Sequence, residues 1–304
     1  DDIHKMCGAL HRMCGALPRL VSSLTRVIFA TSLLRSCAAA AAAGSCAAED
    51  AVAAVAQPDP LLSPCVQLPS SGPPVATSAH PLLIGASPGT TGTMSLYFAL
   101  KALGVTTVHY SRAFNATSGE ETTSYREGGG PVELLRPLFK SSHPAPPVDR
   151  EAAHRTDLTY LSATDALIDT PTVDLFFELL AAFPNARVLL TARDPAKWAA
   201  SRRKRHPFDQ APLFPLLGFD APVGALTEEQ AAAAFALWHR VVLGSLPRER
   251  VLLLDLFGES SEQLWRRLSA FVGRPLPAAG EDGALPPFPH MQYGDDVELD
   301  AGPS

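Results

Sequence analysis

The sequence predicts an α/β domain over residues 80–293, built as a three-layer sandwich around a central parallel sheet. Three observations predict it. Five short, continuous apolar runs have the length and composition of strands buried on both faces. The segments between them carry apolar residues at helical spacing, so strand and helix alternate. The first run opens into a glycine-rich loop that leads directly into a helix.

The five runs are residues 82–86, 106–109, 166–168, 188–191 and 251–254. After the first, Leu96, Ala99, Leu100 and Leu103 share one face of a helix over 95–103, and Gly104 supplies its stop. A second stripe, Val173, Phe176, Phe177 and Leu180, marks a helix over 172–183 that Pro184-Asn185 ends. After the fourth run, Asp194 is placed to cap a helix whose first position is Pro195. Thr227-Glu-Glu-Gln230 reads as a capping box ahead of a long alanine-rich helix carrying Phe235, Leu237 and Trp238. Residues 111–160 and 206–226 hold most of the remaining Gly, Pro and Ser and read as loops over the sheet edge, where an acceptor pocket would be built.

The two ends differ in character. Residues 4–10 recur almost unchanged as residues 11–17. From residue 13 to 48 there are arginines (Arg19, Arg26, Arg35), serines and no acid, with an apolar patch over 27–34 and then an alanine run. Residues 1–48 therefore read as a targeting leader for the secretory pathway, the Golgi included, or for an organelle; a disordered leader without an address has the same composition. A membrane span needs about 20 apolar residues, and the arginines interrupt this patch well before that. Residues 49–79 are a Pro/Ala-rich linker, and residues 294–304 an acidic tail with Asp295, Asp296, Glu298 and Asp300.

Charge and cysteine usage exclude several classes. A net charge of -6 leaves no electrostatic footprint for nucleic acid, and the one basic run, residues 202–205, reads as a solvated helix face. All five cysteines precede residue 66, and the histidines are scattered singly, so the domain has no zinc-ligand spacing.

The loop Gly85-Ala-Ser-Pro-Gly-Thr-Thr-Gly-Thr-Met-Ser95 is the first candidate site. Backbone N–H groups at a helix N-terminus hold anions through their unpaired donors and the helix dipole. Gly89 and Gly92 let a ligand approach the backbone, and Thr91, Thr93 and Ser95 add hydroxyls; Thr90 and Met94 complete the candidate binding stretch. No lysine follows Gly92, so the loop is not the magnesium-nucleotide G-x-x-x-x-G-K-[ST] pattern, and it is not G-x-G-x-x-G either. Taken alone, the pattern fits an anion site and an ordinary strand-to-helix turn equally.

Four segments in order narrow the choice: Thr91-Gly-Thr-Met-Ser-Leu96 with Ala99-Leu-Lys-Ala-Leu-Gly104 and His109-Tyr110; Asp169-Thr-Pro171; Phe183-Pro-Asn-Ala-Arg-Val-Leu-Leu-Thr-Ala-Arg-Asp-Pro-Ala-Lys-Trp-Ala-Ala-Ser201; and Pro287-Phe-Pro-His-Met-Gln-Tyr293. Together they resemble the P-loop sulfotransferase superfamily, and most closely its small sulfotransferase-like group with the loop Arg-Thr-Gly-Thr-x-Ser-Leu. The resemblance implies a P-loop nucleotide-binding fold and 3′-phosphoadenosine 5′-phosphosulfate as sulfuryl donor. It also implies a hydroxyl or amine acceptor on a small molecule or glycan, and no metal. By the same resemblance, Arg193 and Ser201 hold the donor's 3′-phosphate and Asp169 is the general base. A guanidinium grips a phosphate through paired hydrogen bonds, which suits Arg193, although a surface pair with Asp194 is the alternative. Asp169 follows an apolar run and so emerges at the sheet edge, where it can take a proton or cap the helix starting near Pro171.

Thr90 departs from the pattern, standing where the family has Arg or Lys. Either another cation, such as Lys197, replaces it, or the domain binds nucleotide without efficient transfer. Two other readings stand beside the transferase: a P-loop kinase with Asp169 on magnesium, and a non-catalytic nucleotide-binding module. His109, His290, Trp198, Trp238 and Trp265 read first as packing residues, with His109 reaching the acceptor as the lesser option.

Overall fold

The computed structural model describes residues 81–110, 112–123, 138, 152, 156–170, 172–211 and 222–291. The leader, the linker, the tandem heptapeptides, the cysteines, Pro171, Tyr293 and the acidic tail lie outside these residues.

All five apolar runs are strands. They are β1 (Leu83–Gly85), β2 (Thr107–His109), β5 (Ala166–Leu167), β6 (Arg187–Thr191) and β7 (Val251–Leu254), and they pair in parallel in the order β2-β5-β1-β6-β7. The sheet is not wholly parallel, however. Two further strands, β3 (Arg112–Phe114) and β4 (Glu121–Thr123), run antiparallel beyond β2 and make it a seven-stranded mixed sheet. They fall within residues that composition marked as loop. Each is three residues long, and Ala113 and Phe114 are the only apolar residues of the two strands, so no apolar run betrays them. Side chains of Tyr97, Lys101 and Arg112 converge on Glu121 and tie this edge hairpin to the first helix.

The helices are α1 (Thr93–Ala102), α2 (Phe176–Ala182, after a 3₁₀ turn over Thr172–Leu175), α3 (Pro195–Arg205), α4 (Glu228–Ser245) and α5 (Ser261–Val272). Their ends follow the sequence cues. Asp194 accepts from the Lys197 amide at 2.8 Å, Pro195 is the first helical residue, and Thr227 and Gln230 close the expected capping box. Ser260 and Gln263 form a second capping box at α5.

Alternate strand residues point to opposite faces. Leu83, Ala166, Ile168, Leu189, Leu252 and Leu254 pack with α1 and α5 through Leu96, Leu100, Trp265 and Leu268. Leu82, Ile84, Leu167, Val188 and Leu190 are buried toward the other side. There Trp198 of α3 stacks on Phe235 of α4, and Phe176 of α2 meets Trp238 of α4. Helices thus cover both faces in three layers. The chain leaves β1 in one direction toward β2 and β5 and in the other toward β6 and β7, so the order reverses beside β1. Open parallel sheets bind ligands outside the carboxyl ends of the strands at such a reversal.

Candidate functional site

Three connections emerge side by side at that point: the glycine loop after β1, Asp169 after β5 and Arg193 after β6. The pairing of β1 with both β5 and β6 makes them neighbours. Gly92, at φ 90°, caps α1, and the first helical bond runs from the Leu96 amide to the Gly92 carbonyl at 3.0 Å. The amides of Thr93, Met94 and Ser95 consequently have no partner within the helix. Their dipoles point toward the loop.

The loop is held from below. Trp198 donates its indole N–H to the Gly89 carbonyl at 3.0 Å, Trp238 donates to the Ala86 carbonyl at 2.6 Å, and the Ser87 hydroxyl accepts from the Thr191 amide at 2.6 Å. Thr191 donates its hydroxyl to that of Thr91 at 2.8 Å, and Thr91 donates in turn to the Pro88 carbonyl at 2.8 Å. These bonds correct two expectations. The Thr91 hydroxyl is occupied inside the fold, and Trp198 and Trp238 fix the loop as well as filling the core. Ser95 accepts from the Met291 amide at 2.9 Å, which anchors the C-terminal Phe288-Pro-His-Met segment to α1. Met94 packs partly into the core.

Arg193 meets the loop directly, its guanidinium donating to the carbonyl of Thr90. Burial and the charge of Arg205 push its pKa down from the ordinary arginine value, while Asp194 pulls the other way. It makes no ion pair with Asp194 among the described residues, so the surface-pair alternative is not realised. Ser201 lies three residues beyond Trp198 on α3, half-buried, its hydroxyl unpaired among the described residues. The arrangement brings the loop and Arg193 together, with Ser201 on the helix that packs against the loop through Trp198.

Asp169 is also at the site, and not as a helix cap. Its carbonyl, not its carboxylate, receives the Thr172 amide, at 2.9 Å. The carboxylate faces β2: Asp169 Oδ2 lies 3.2 Å from His109 Nε2, which is 3.3 Å from Thr93 Oγ1. His109 Nε2 thus lies within reach of both the Asp169 carboxylate and the Thr93 hydroxyl. Asp169 Oδ1 is buried without a partner among the described residues, as is Thr90 Oγ1. His109 is therefore a site residue as well as a packing one. Its position at the end of β2 was the signal for this, one strand over from Asp169.

Thr90 and Asp169 are the only non-glycine residues with positive φ among those described, at 68° and 70°. Such conformations cost on the order of 1–3 kcal/mol and gather at functional sites. Thr90 lies in the loop and Asp169 beside it.

Arg202 corrects the reading of residues 202–205. It is 5% exposed rather than solvated. Its Nη2 end pairs with the Asp209 carboxylate and lies 3.3 Å from Thr170 Oγ1. Its Nη1 end lies against the glycine loop: a β-carbon on Gly89 would collide with Nη1 and sit 3.0 Å from Asp169 Oδ1. The bare backbone of Gly89 thus leaves room for the close approach of this side chain. The run of four basic residues hid it, although its spacing of four from the buried Trp198 places both on one helix face. Lys197, the expected substitute for the cation missing at Thr90, is exposed on the first turn of α3.

Residues 82–217 match the family model described as "Sulfotransferase domain". No curated protein matches the chain. The match spans β1 through α3, which includes the glycine loop, Asp169, Arg193 and Ser201; β7 and α5 complete the sheet and its cover beyond it. The segment from residue 82 to residue 217, somewhat under half of the chain, is thus similar to the sulfotransferase domain family.

Proposed function

We propose that the protein transfers a sulfuryl group from 3′-phosphoadenosine 5′-phosphosulfate to a hydroxyl or amine of a small molecule or glycan. The observation that carries this is the convergence of an amide-lined loop and Arg193 at the edge where β5 delivers a buried, half-unpaired Asp169.

The residues present suit the donor. The α1 amides and helix dipole favour the 5′-phosphate, and Arg193 with the Ser201 hydroxyl favours the 3′-phosphate. A partly buried guanidinium resting on a carbonyl gains by exchanging it for a phosphate, because charge-assisted bonds to an anion are the stronger. Bound there, the donor supplies a sulfur centre whose leaving group is a phosphate.

Asp169 is the group placed to take the acceptor's proton. His109 holds Oδ2 and leaves Oδ1 for the acceptor O–H or N–H. The acceptor atom bonds to sulfur while the sulfur–oxygen bond to the phosphate breaks with its electron pair. The proton goes to Oδ1, and 3′-phosphoadenosine 5′-phosphate departs. The loop amides stabilise the charge gathering on that phosphate.

The test is transfer from donor labelled in its sulfuryl group to a mixed panel of hydroxyl and amine acceptors. Label should appear in an acceptor product and fall by about 10²–10⁴-fold in Asp169→Asn. Full activity in Asp169→Asn would remove the assigned base. Label transferred instead from the γ-phosphate of ATP would establish a kinase.

A further inference from the structure

Resting on that transferase reading, the structure points to a residue that restores what Thr90 lacks. The loop carries no cation of its own, since residues 85–95 contain neither Lys nor Arg. Transfer nevertheless places growing negative charge on the bridging oxygen between sulfur and phosphate, and a cation beside it commonly accounts for several kcal/mol of barrier lowering, about 10²–10³-fold in rate.

We propose that Arg202 is that cation, delivered from α3 across the loop. Three observations support the assignment. The guanidinium is buried, and its Nη2 end is fixed by Asp209 and Thr170, which sets the plane of the group and leaves Nη1 toward the loop. Nη1 occupies the place that a β-carbon on Gly89 would take. The same spot over Gly89 is flanked by Asp169 Oδ1, so the cation and the proposed base face one small space from two sides. A buried guanidinium has N–H donors to satisfy beyond its carboxylate pair, and here the Nη1 end is directed at the loop beside an unpaired carboxylate oxygen. Gly89 and Arg202 therefore function as a pair: the missing side chain in the loop makes room for the charge from the helix. The electron pair released to the bridging oxygen is stabilised by Arg202, and the acceptor proton moves to Asp169.

The charge is held for this work by Asp209, which makes Asp209 a positioning residue. His206, whose pKa is lowered by burial and by the Arg202 charge, sits 3.9 Å from Asp209 and belongs to the same cluster.

The experiment is steady-state transfer together with separately measured affinity for 3′-phosphoadenosine 5′-phosphate, which lacks the sulfuryl group. Arg202→Gln is expected to lower kcat by about 10²–10³-fold while changing affinity for this product by no more than about threefold. Adding Thr90→Arg to Arg202→Gln, which returns a cation from the loop side, is expected to recover at least about tenfold of the loss, a rescue that a merely structural arginine would not show. If Arg202→Gln fails to fold, Arg202→Lys keeps the pair with Asp209 and is expected to lose about tenfold in kcat with product affinity intact. Undiminished kcat in a folded Arg202 variant, or loss of kcat only in proportion to loss of product affinity, overturns the proposal. Wild-type protein that binds the product but transfers nothing overturns it together with the transferase reading, and wild type that does not bind the product overturns the nucleotide site itself.

Discussion

Replacing Gly92 by alanine probes the loop at its most constrained point. Gly92 has φ 90°, and an added β-carbon would lie 2.6 Å from Leu256 Cδ1, a core side chain between α1 and α5. Two costs follow. Holding alanine in the left-handed region costs about 1–2 kcal/mol, and forcing Leu256 aside in a packed core costs a further 1–3, roughly. Gly273 supplies the control: it caps α5 at φ 70° with nothing within 4 Å of the added carbon, so Gly273→Ala carries the first cost alone. For a domain of this size, Tm falls by roughly 2–4 °C per kcal/mol. Thermal unfolding should therefore show Gly92→Ala down by roughly 4–20 °C and Gly273→Ala by roughly 2–8 °C. Leu256→Ala should be less damaging in the Gly92→Ala background than in the wild type, because the collision is then absent. Equal losses in the two glycine variants would refute the contact with Leu256, and an unchanged Gly92→Ala would refute the left-handed turn that shapes the loop.

Trp198→Phe keeps an aromatic ring against Phe235 but removes the bond to the Gly89 carbonyl, leaving a buried acceptor unpaired; a loss of about 1–3 kcal/mol in denaturant unfolding is expected, with weaker nucleotide binding. An unchanged midpoint would show that the loop does not depend on this bond. His239 is fully enclosed, and burial lowers its pKa despite its contacts with the Thr191 and Phe235 carbonyls. The unfolded chain protonates this residue below about pH 6.5, whereas the folded chain does so only at lower pH. Stability is thus complete above that value and declines as pH falls below it through the folded pKa. Thermal midpoints between pH 5 and 8 should fall toward the acid side in the wild type and vary less in His239→Gln; identical profiles would remove His239 from the acid sensitivity.

Much of this was legible in the sequence, for identifiable reasons. Strands buried on both faces write themselves as apolar runs, so β1, β2, β5, β6 and β7 could be read directly, and α3 announced itself through Asp194 and Pro195. The edge hairpin could not. Its stability comes from Glu121 meeting Lys101, Tyr97 and Arg112, contacts between residues distant in sequence. Of the candidate site, the loop, Arg193 and Asp169 lie at strand ends, where position alone predicts that they meet. Arg202 and His109 were obscured, the first within a basic run and the second as a lone histidine. Both depend on which way a side chain turns inside the fold, as does the committed hydroxyl of Thr91.

The central claim is that the loop amides, Arg193 and Ser201 hold an adenine nucleotide by phosphates at both its ends. Thermal shift with 3′-phosphoadenosine 5′-phosphate, adenosine 5′-phosphate and magnesium ATP tests it most directly. At about a hundredfold excess over Kd, the first should add roughly 2.7 kcal/mol of stability, a rise in Tm of several degrees that Arg193→Ala abolishes. An equal rise with adenosine 5′-phosphate or with magnesium ATP, or a full rise in Arg193→Ala, would contradict it.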